Sequence, residues 1–211
     1  MKLREIQRRL ERLYGLALSE SVEDFVCDEE AAREAVGDKV SRREILLVAE
    51  EPDGLAVGLY VDEAAIARLH GARDAWMDER RFDAACLATE GVSHFVYLLF
   101  RAHGDNQVSQ LELELQAEVD KYATGLLAGN GVRLIRERSR SLRRRLFAEA
   151  ELLDELDAEE VERYQTALRA AARYTARLEE RYVAVGDLRG LARELRRFYR
   201  LGVSDKLSSA D

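Results

Sequence analysis

Glu90 and His94 stand four residues apart in the apolar stretch EGVSHFVYLL, residues 90–99. On a helix, side chains at i and i+4 leave the same face one turn apart. A carboxylate and an imidazole held that way can share one divalent cation, because both are good ligands for zinc and similar ions. A third donor must come from elsewhere. The next helical stretch offers Glu112, Glu114, Glu118 and Asp120, of which Glu114 and Glu118 share a face. Either reaches the pair if the two helices pack antiparallel, which the short connection HGDNQV favours. The other use of the same residues is a satisfied core pair. A buried carboxylate without a partner is costly, and an imidazole one turn away supplies one, with Glu118 or Tyr122 as further partners. Cys86 precedes Glu90 by one turn and serves as a soft ligand or as a small apolar side chain.

The elements that must position these residues follow from patterning. Leu3, Ile6, Leu10 and Leu13, with Leu16 or Ala17, form an apolar stripe over residues 2–18. An extended piece over 22–27 and a short helix from the cap Asp28 to Val36, closed by Gly37, come next. REILLVAEE, EPDG and LAVGLYVD predict a hairpin, strands 43–50 and 55–61, with Pro52 and Gly54 in its turn. Both runs are apolar on both faces, which predicts a sheet covered by helices. Asp62 caps a helix through His70 that ends at Gly71, and a long helix spans 83–102. Ser109 caps another, which stops at Gly129-Asn130-Gly131. The rear of the chain reads as helices over 132–150, 158–183 and 187–201, with Asp157 and Asp187 as caps. Val161, Tyr164, Leu168, Ala171, Thr175, Leu178 and Tyr182 make a heptad-like seam suited to antiparallel packing. The fold class expected is therefore mainly α (α+β): a small β-hairpin packed on a helix pair, followed by a C-terminal helical bundle. The boundaries are 1–131 for the α+β part, 132–207 for a bundle sharing its core, and a loose tail at 208–211.

The order hairpin, ligand-bearing helix, loop, then a helix reading EVDKYATGLL resembles the core of the ImmA/IrrE-type metallopeptidases, a zincin-like family, over residues 43–128. That family carries His-Glu-x-x-His on the first helix and a glutamate as third zinc ligand on the next. Glu118, Val119, Tyr122, Ala123, Leu126 and Leu127 fall on the second pattern, and His94 falls on the second histidine. Glu90 stands in place of the first histidine and Gly91 in place of the catalytic glutamate. The resemblance thus implies a metal set of Glu90, His94 and Glu118 around a single divalent ion such as zinc, or no cofactor at all. A glycine cannot act as a general base toward metal-bound water. The implied protein is a non-catalytic, zincin-like regulatory or scaffold module working through protein contacts. The alternative is a metal-dependent hydrolase with altered ligands, in which Glu114 is the nearest substitute base.

Charge and composition narrow the remaining classes. The 211 residues are 47% hydrophobic and 35% charged, with one proline, which suits a soluble helical protein. The net charge of −8 is uneven. Residues 133–211 carry 18 basic against 15 acidic side chains, and residues 1–132 carry 15 against 26. That asymmetry suits intramolecular or subunit docking, so a protein partner or a homo-oligomer is expected rather than nucleic acid. RLIRERSRSLRRR, residues 133–145, is the one phosphate-binding candidate, through Arg140, Arg143, Arg144 and Arg145. The bland account of that run is a solvated face laced with salt bridges. His70 and His103 fall at a helix end and a loop, and Trp76 reads as a core anchor. Two cysteines make no disulfide scaffold. The longest apolar run, 95–100, is far too short to span a bilayer, and the charged N-terminus lacks the apolar run of a signal peptide. A cytoplasmic protein is expected.

Overall fold

The computed structural model describes residues 2–37, 43–52, 54–72, 74–104, 106–128, 135–150 and 156–210. Its architecture is mainly α with one two-stranded antiparallel sheet. The helices are α1 (Leu3–Tyr14), α2 (Glu29–Val36), α3 (Glu63–Arg68), α4 (Phe82–Ala102), α5 (Gln110–Leu127), α6 (Ile135–Arg143), α7 (Ala158–Leu178), α8 (Leu188–Tyr199) and α9 (Val203–Ala210). The strands are β1 (Glu44–Glu51) and β2 (Gly54–Val61), paired Glu44 to Val61 and Glu51 to Gly54 at their two ends.

The caps obey local chemistry. Asp28, Asp62, Ser109, Asp157 and Asp187 each accept a backbone N–H from the first turn of α2, α3, α5, α7 and α8. Asp157 and Glu160 close a reciprocal capping box, with bonds of 2.8 and 3.2 Å. The first helix is shorter than its apolar stripe suggests. Gly15 turns left-handed (φ 66°) and ends α1 at Tyr14, so Leu16 and Ala17 follow the helix rather than extend it. The tail is ordered where a loose end was expected: α9 runs to Ala210, which is buried. The extended piece at 22–27 is instead a tight turn, Val22–Asp24, followed by a single parallel bridge from Val26 to Leu59 on β2. Asp53, the turn expected at 129–131 and the expected helix start at 132–134 lie outside the described residues.

α4 is the centre. From Gly91 to Leu99 every residue is buried, and α1, α3, α5 and the hairpin pack around it. A helix apolar on all sides requires cover on all sides. The hairpin is covered only in part: Leu59, Tyr60 and Val61 are buried near α4, whereas Val48 and Leu55 near the turn are exposed. The rear helices join the same core. α7 lies along α5, burying Ala167, Ala170, Ala171, Tyr174, Thr175 and Leu178, a seam shifted from the heptad reading toward its small residues. Tyr14 of α1 stacks on Tyr199 of α8 with centroids 3.8 Å apart, and Tyr174 stacks on Phe198 at 3.9 Å. Among the described residues, no helix is long and apolar enough to cross a membrane.

Candidate metal centre

Partners on α4 and α5 run in opposite order, Tyr97 with Glu112, Ser93 with Asp120 and Glu90 with Lys121, so the two helices are antiparallel. This brings Glu90 and His94 against the carboxylates of α5. Glu90, His94 and Glu114 each present a donor atom within 4.8 Å of the others, so this group can hold a metal ion. The His94 ring lies between two carboxylates: Nδ1 is 3.4 Å from Glu44 Oε1, and Nε2 is 3.6 Å from Glu114 Oε2. Nε2 is buried and has no hydrogen-bond partner.

Glu44 enters from the first residue of β1, and a glycine makes its room. A Cβ on Gly91 would stand 3.0 Å from Glu44 Cγ, 3.2 Å from its Oε1 and 3.1 Å from Val61 Cγ2. The helix position without a side chain is therefore filled by a carboxylate from the strand. Lys121 closes the other side, donating to Glu90 Oε2 at 3.1 Å and to Glu118 Oε1 at 2.6 Å.

Of the four residues singled out on these helices, Glu90, His94 and Glu114 converge as donors. Glu118 faces the same cluster but gives one oxygen to Lys121, while its other oxygen is buried without a partner. The third donor in reach is thus Glu114, one turn before Glu118. Sequence reasoning missed Glu44 and Lys121. The signals for Glu44 were a charged side chain alternating with Leu46 and Val48 on a strand, and a glycine inside an apolar helix.

The electrostatics follow from burial and neighbours. Burial alone would lower the His94 pKa, but Glu44 and Glu114 outweigh it and hold the imidazole well above its usual range. Burial raises Glu44 against the opposing pull of His94, and it raises Glu118 against that of Lys121. Glu90 moves the other way, because Lys121 and His94 overcome its burial. Lys121 is held well above its ordinary value by Glu118 and Glu90, which more than offset its own desolvation. Four carboxylates face one ammonium and one imidazolium, which leaves two negative charges in excess. Cys86 takes no part as a thiolate, since burial pushes its thiol up to about 12.

The other candidates have ordinary employment. Arg143 pairs with Glu179 at 3.6 Å and Arg144 with Glu149 at 3.4 Å, while Arg145 donates to Trp76 O and lies 3.6 Å over the Phe82 ring. Arg140 is exposed. Arg138, from the same run, grips Asp74 with two bonds and Gly125 O with a third. Trp76 is a core anchor, His70 is exposed beyond α3, and exposed His103 pairs with Glu20 at 3.1 Å. No protein-family model, no curated protein and no solved structure matches this chain.

Proposed function

We propose that this chain is a divalent-metal-binding regulatory or scaffold module of zincin-like kind, whose metal ties α4 to α5 without performing hydrolysis. The observation that carries the reading is His94 Nε2, a buried nitrogen without a partner, aimed at Glu114, with Glu90 in the same group. The opposite ring nitrogen faces Glu44. A carboxylate on the far nitrogen fixes the tautomer and orients the ring, as it does behind histidines that ligate metals. With His94 neutral, the four carboxylates and Lys121 leave three negative charges, and a dication would offset two of them. Binding requires His94 to give up the proton that its neighbours now favour, so affinity falls as pH falls.

The non-hydrolytic part of the proposal is supported by what surrounds the donors. Position 91 has no side chain, and Glu44, which fills the space, is engaged with His94. The donors are enclosed, with side-chain exposures of 8% for His94, 12% for Glu114 and 22% for Glu90. Neither of the two cavities described is lined by them.

One observation favours hydrolysis as a second reading. A set of three protein donors leaves coordination positions open, as catalytic sites do. Elemental analysis of protein purified without chelator tests the metal. One equivalent per chain, lost in Glu90→Ala and His94→Ala, is expected. Variants that keep the wild-type metal content but lose melting temperature would make the cluster purely structural. Metal-dependent cleavage of a peptide library, abolished by His94→Ala, would move the assignment to the second reading.

A further inference from the structure

A second site lies where α1, the end of α5 and α8 meet around a cavity of about 470 Å³. Three arginines line it, Arg9 and Arg12 from α1 and Arg196 from α8, and among the described residues no acidic one does. Like charges gathered in a concave site repel one another, and an anion removes that cost.

Two of these arginines, Arg12 and Arg196, keep N–H groups that the described residues do not use. Arg196 is fixed by two backbone carbonyls at the end of α1, through Nε to Leu13 O at 2.6 Å and through Nη2 to Arg12 O at 3.3 Å. That anchoring caps α1 and leaves Nη1, the remaining arm of the fork, uncommitted. Arg12 makes no ion pair or hydrogen bond through its side chain among the described residues. Thr124 lines the same cavity at 5% exposure, and its hydroxyl has no hydrogen-bond partner. The other described residues that line it are apolar, and Leu127 among them is 42% exposed.

We propose that this cavity binds a small phosphomonoester, with the phosphate held by Arg9, Arg12 and Arg196 and an apolar body resting on Leu13 and Leu127. Guanidinium groups suit a phosphate dianion because their planar N–H pairs match its oxygens and their charge is permanent. The volume suits a small molecule rather than a polymer. The site shares no residue with the acid–histidine cluster on the hairpin side, so it stands or falls independently of the metal.

The test is calorimetric titration of the full chain with phenyl phosphate, inorganic phosphate and benzoate, at constant ionic strength set with chloride. Phenyl phosphate is expected to saturate at one per chain and to bind more tightly than the other two. The variant Arg12→Gln is expected to weaken it at least about tenfold, with an unchanged melting temperature in the absence of ligand. Leu127→Ser should narrow the preference for phenyl phosphate over inorganic phosphate. No saturable binding by about 10 mM, equal affinity for phenyl phosphate and inorganic phosphate, equal affinity for benzoate, or full affinity in Arg12→Gln would each overturn the proposal.

Discussion

On the face of α4 and α5 turned toward the hairpin, four carboxylates meet one ammonium and one imidazole. On the face turned toward α1, α8 and α9, Glu112 and Asp120 meet Lys206 and Arg101, and the charges cancel. The second network is also densely hydrogen-bonded around Asp120 and Lys206. Asp120 accepts from Tyr14 and Gln116 on one oxygen and from Ser93 on the other. Lys206 donates to Tyr97 OH and to Gln116 Oε1, each at 2.7 Å, and lies 4.0 Å over the Tyr97 ring. Tyr97 in turn donates to Glu112 at 2.5 Å. The hairpin-side network instead leaves His94 Nε2 and one Glu118 oxygen without partners. Both networks are carried by the same two helices, through residues that alternate along them: 90 and 94 against 93 and 97, 114 and 118 against 112, 116 and 120. The difference lies in what each is complete without. The network facing α9 is balanced in charge by the chain alone, with Arg101 Nε, 3.6 Å from Glu112 Oε1, its unbonded atom, whereas the one facing the hairpin is short of positive charge.

The largest expected effect breaks the network around Asp120. Asp120→Ala leaves the hydroxyls of Tyr14 and Ser93 and the Gln116 amide without their acceptor, and it leaves Lys206 with one carboxylate fewer nearby. Removing one partner from a buried charged network costs about 3–5 kcal/mol, readable by urea denaturation. A loss under about 1 kcal/mol would show that the network is no more than surface-like pairing. On the hairpin side the opposite sign is expected. Glu118→Gln relieves a buried like charge, so the metal-free protein should gain on the order of 1 kcal/mol.

A slightly smaller effect separates the networks by pH. Burial lowers Lys206 to about 7, and burial raises Asp120 to about 6 against the pull of its three donors. Between pH 7 and the ordinary lysine range, the unfolded chain binds the proton that folded Lys206 has lost, so stability rises with pH. Between the ordinary aspartate range and pH 6, folded Asp120 holds the extra proton, so stability falls as pH rises. The pair thus places a minimum between pH 6 and 7. Lys206→Met should remove the alkaline limb and Asp120→Asn the acidic one. A variant that retains its limb would assign it to other groups.

Metal should act on the hairpin side alone. A divalent ion at a hundred times its Kd is expected to stabilise the wild type by about 2.7 kcal/mol and to leave His94→Ala unchanged. The same stabilisation in His94→Ala would place the ion elsewhere.

How much of this was legible in the chain depends on the range of the interaction. The caps at Asp28, Asp62, Ser109, Asp157 and Asp187 and the hairpin are local signals, and they were readable as such. Glu90 and His94 were readable too, because i, i+4 spacing alone puts them on one face. Choosing Glu114 over Glu118 required the axial offset of two packed helices, about one turn, which no local pattern fixes. Lys206 lay deeper still. In the short segment VSDKLSSA, a lysine reads as a solvated end, and its burial against Tyr97, more than a hundred residues earlier, is set by where α9 docks. Gly15 was overlooked because the apolar stripe continues through Leu16, although the αL turn ends the helix first.

The smallest effect probes the seam between helix and strand. Gly91→Ala should gain about 1 kcal/mol in helix propensity, yet its Cβ must push Glu44 and Val61, both nearer than ordinary contact. Because Glu44 is a side chain able to move, the result expected is a net loss of about 1 kcal/mol or less. Its signature is functional: with Glu44 displaced from His94 Nδ1, metal affinity should fall tenfold to a hundredfold, the range typical of a lost supporting carboxylate. Gly125→Ala is the matched control. There a Cβ meets the Trp76 ring at 3.0 Å and Leu142 Cδ2 at 2.9 Å, inside the core and away from the cluster. It should cost about 1–3 kcal/mol and leave metal affinity unaltered. If both variants lost affinity in proportion to stability, Glu44 would matter only as packing. If Gly91→Ala alone loosened the metal, the glycine exists to admit a carboxylate that its own helix does not supply.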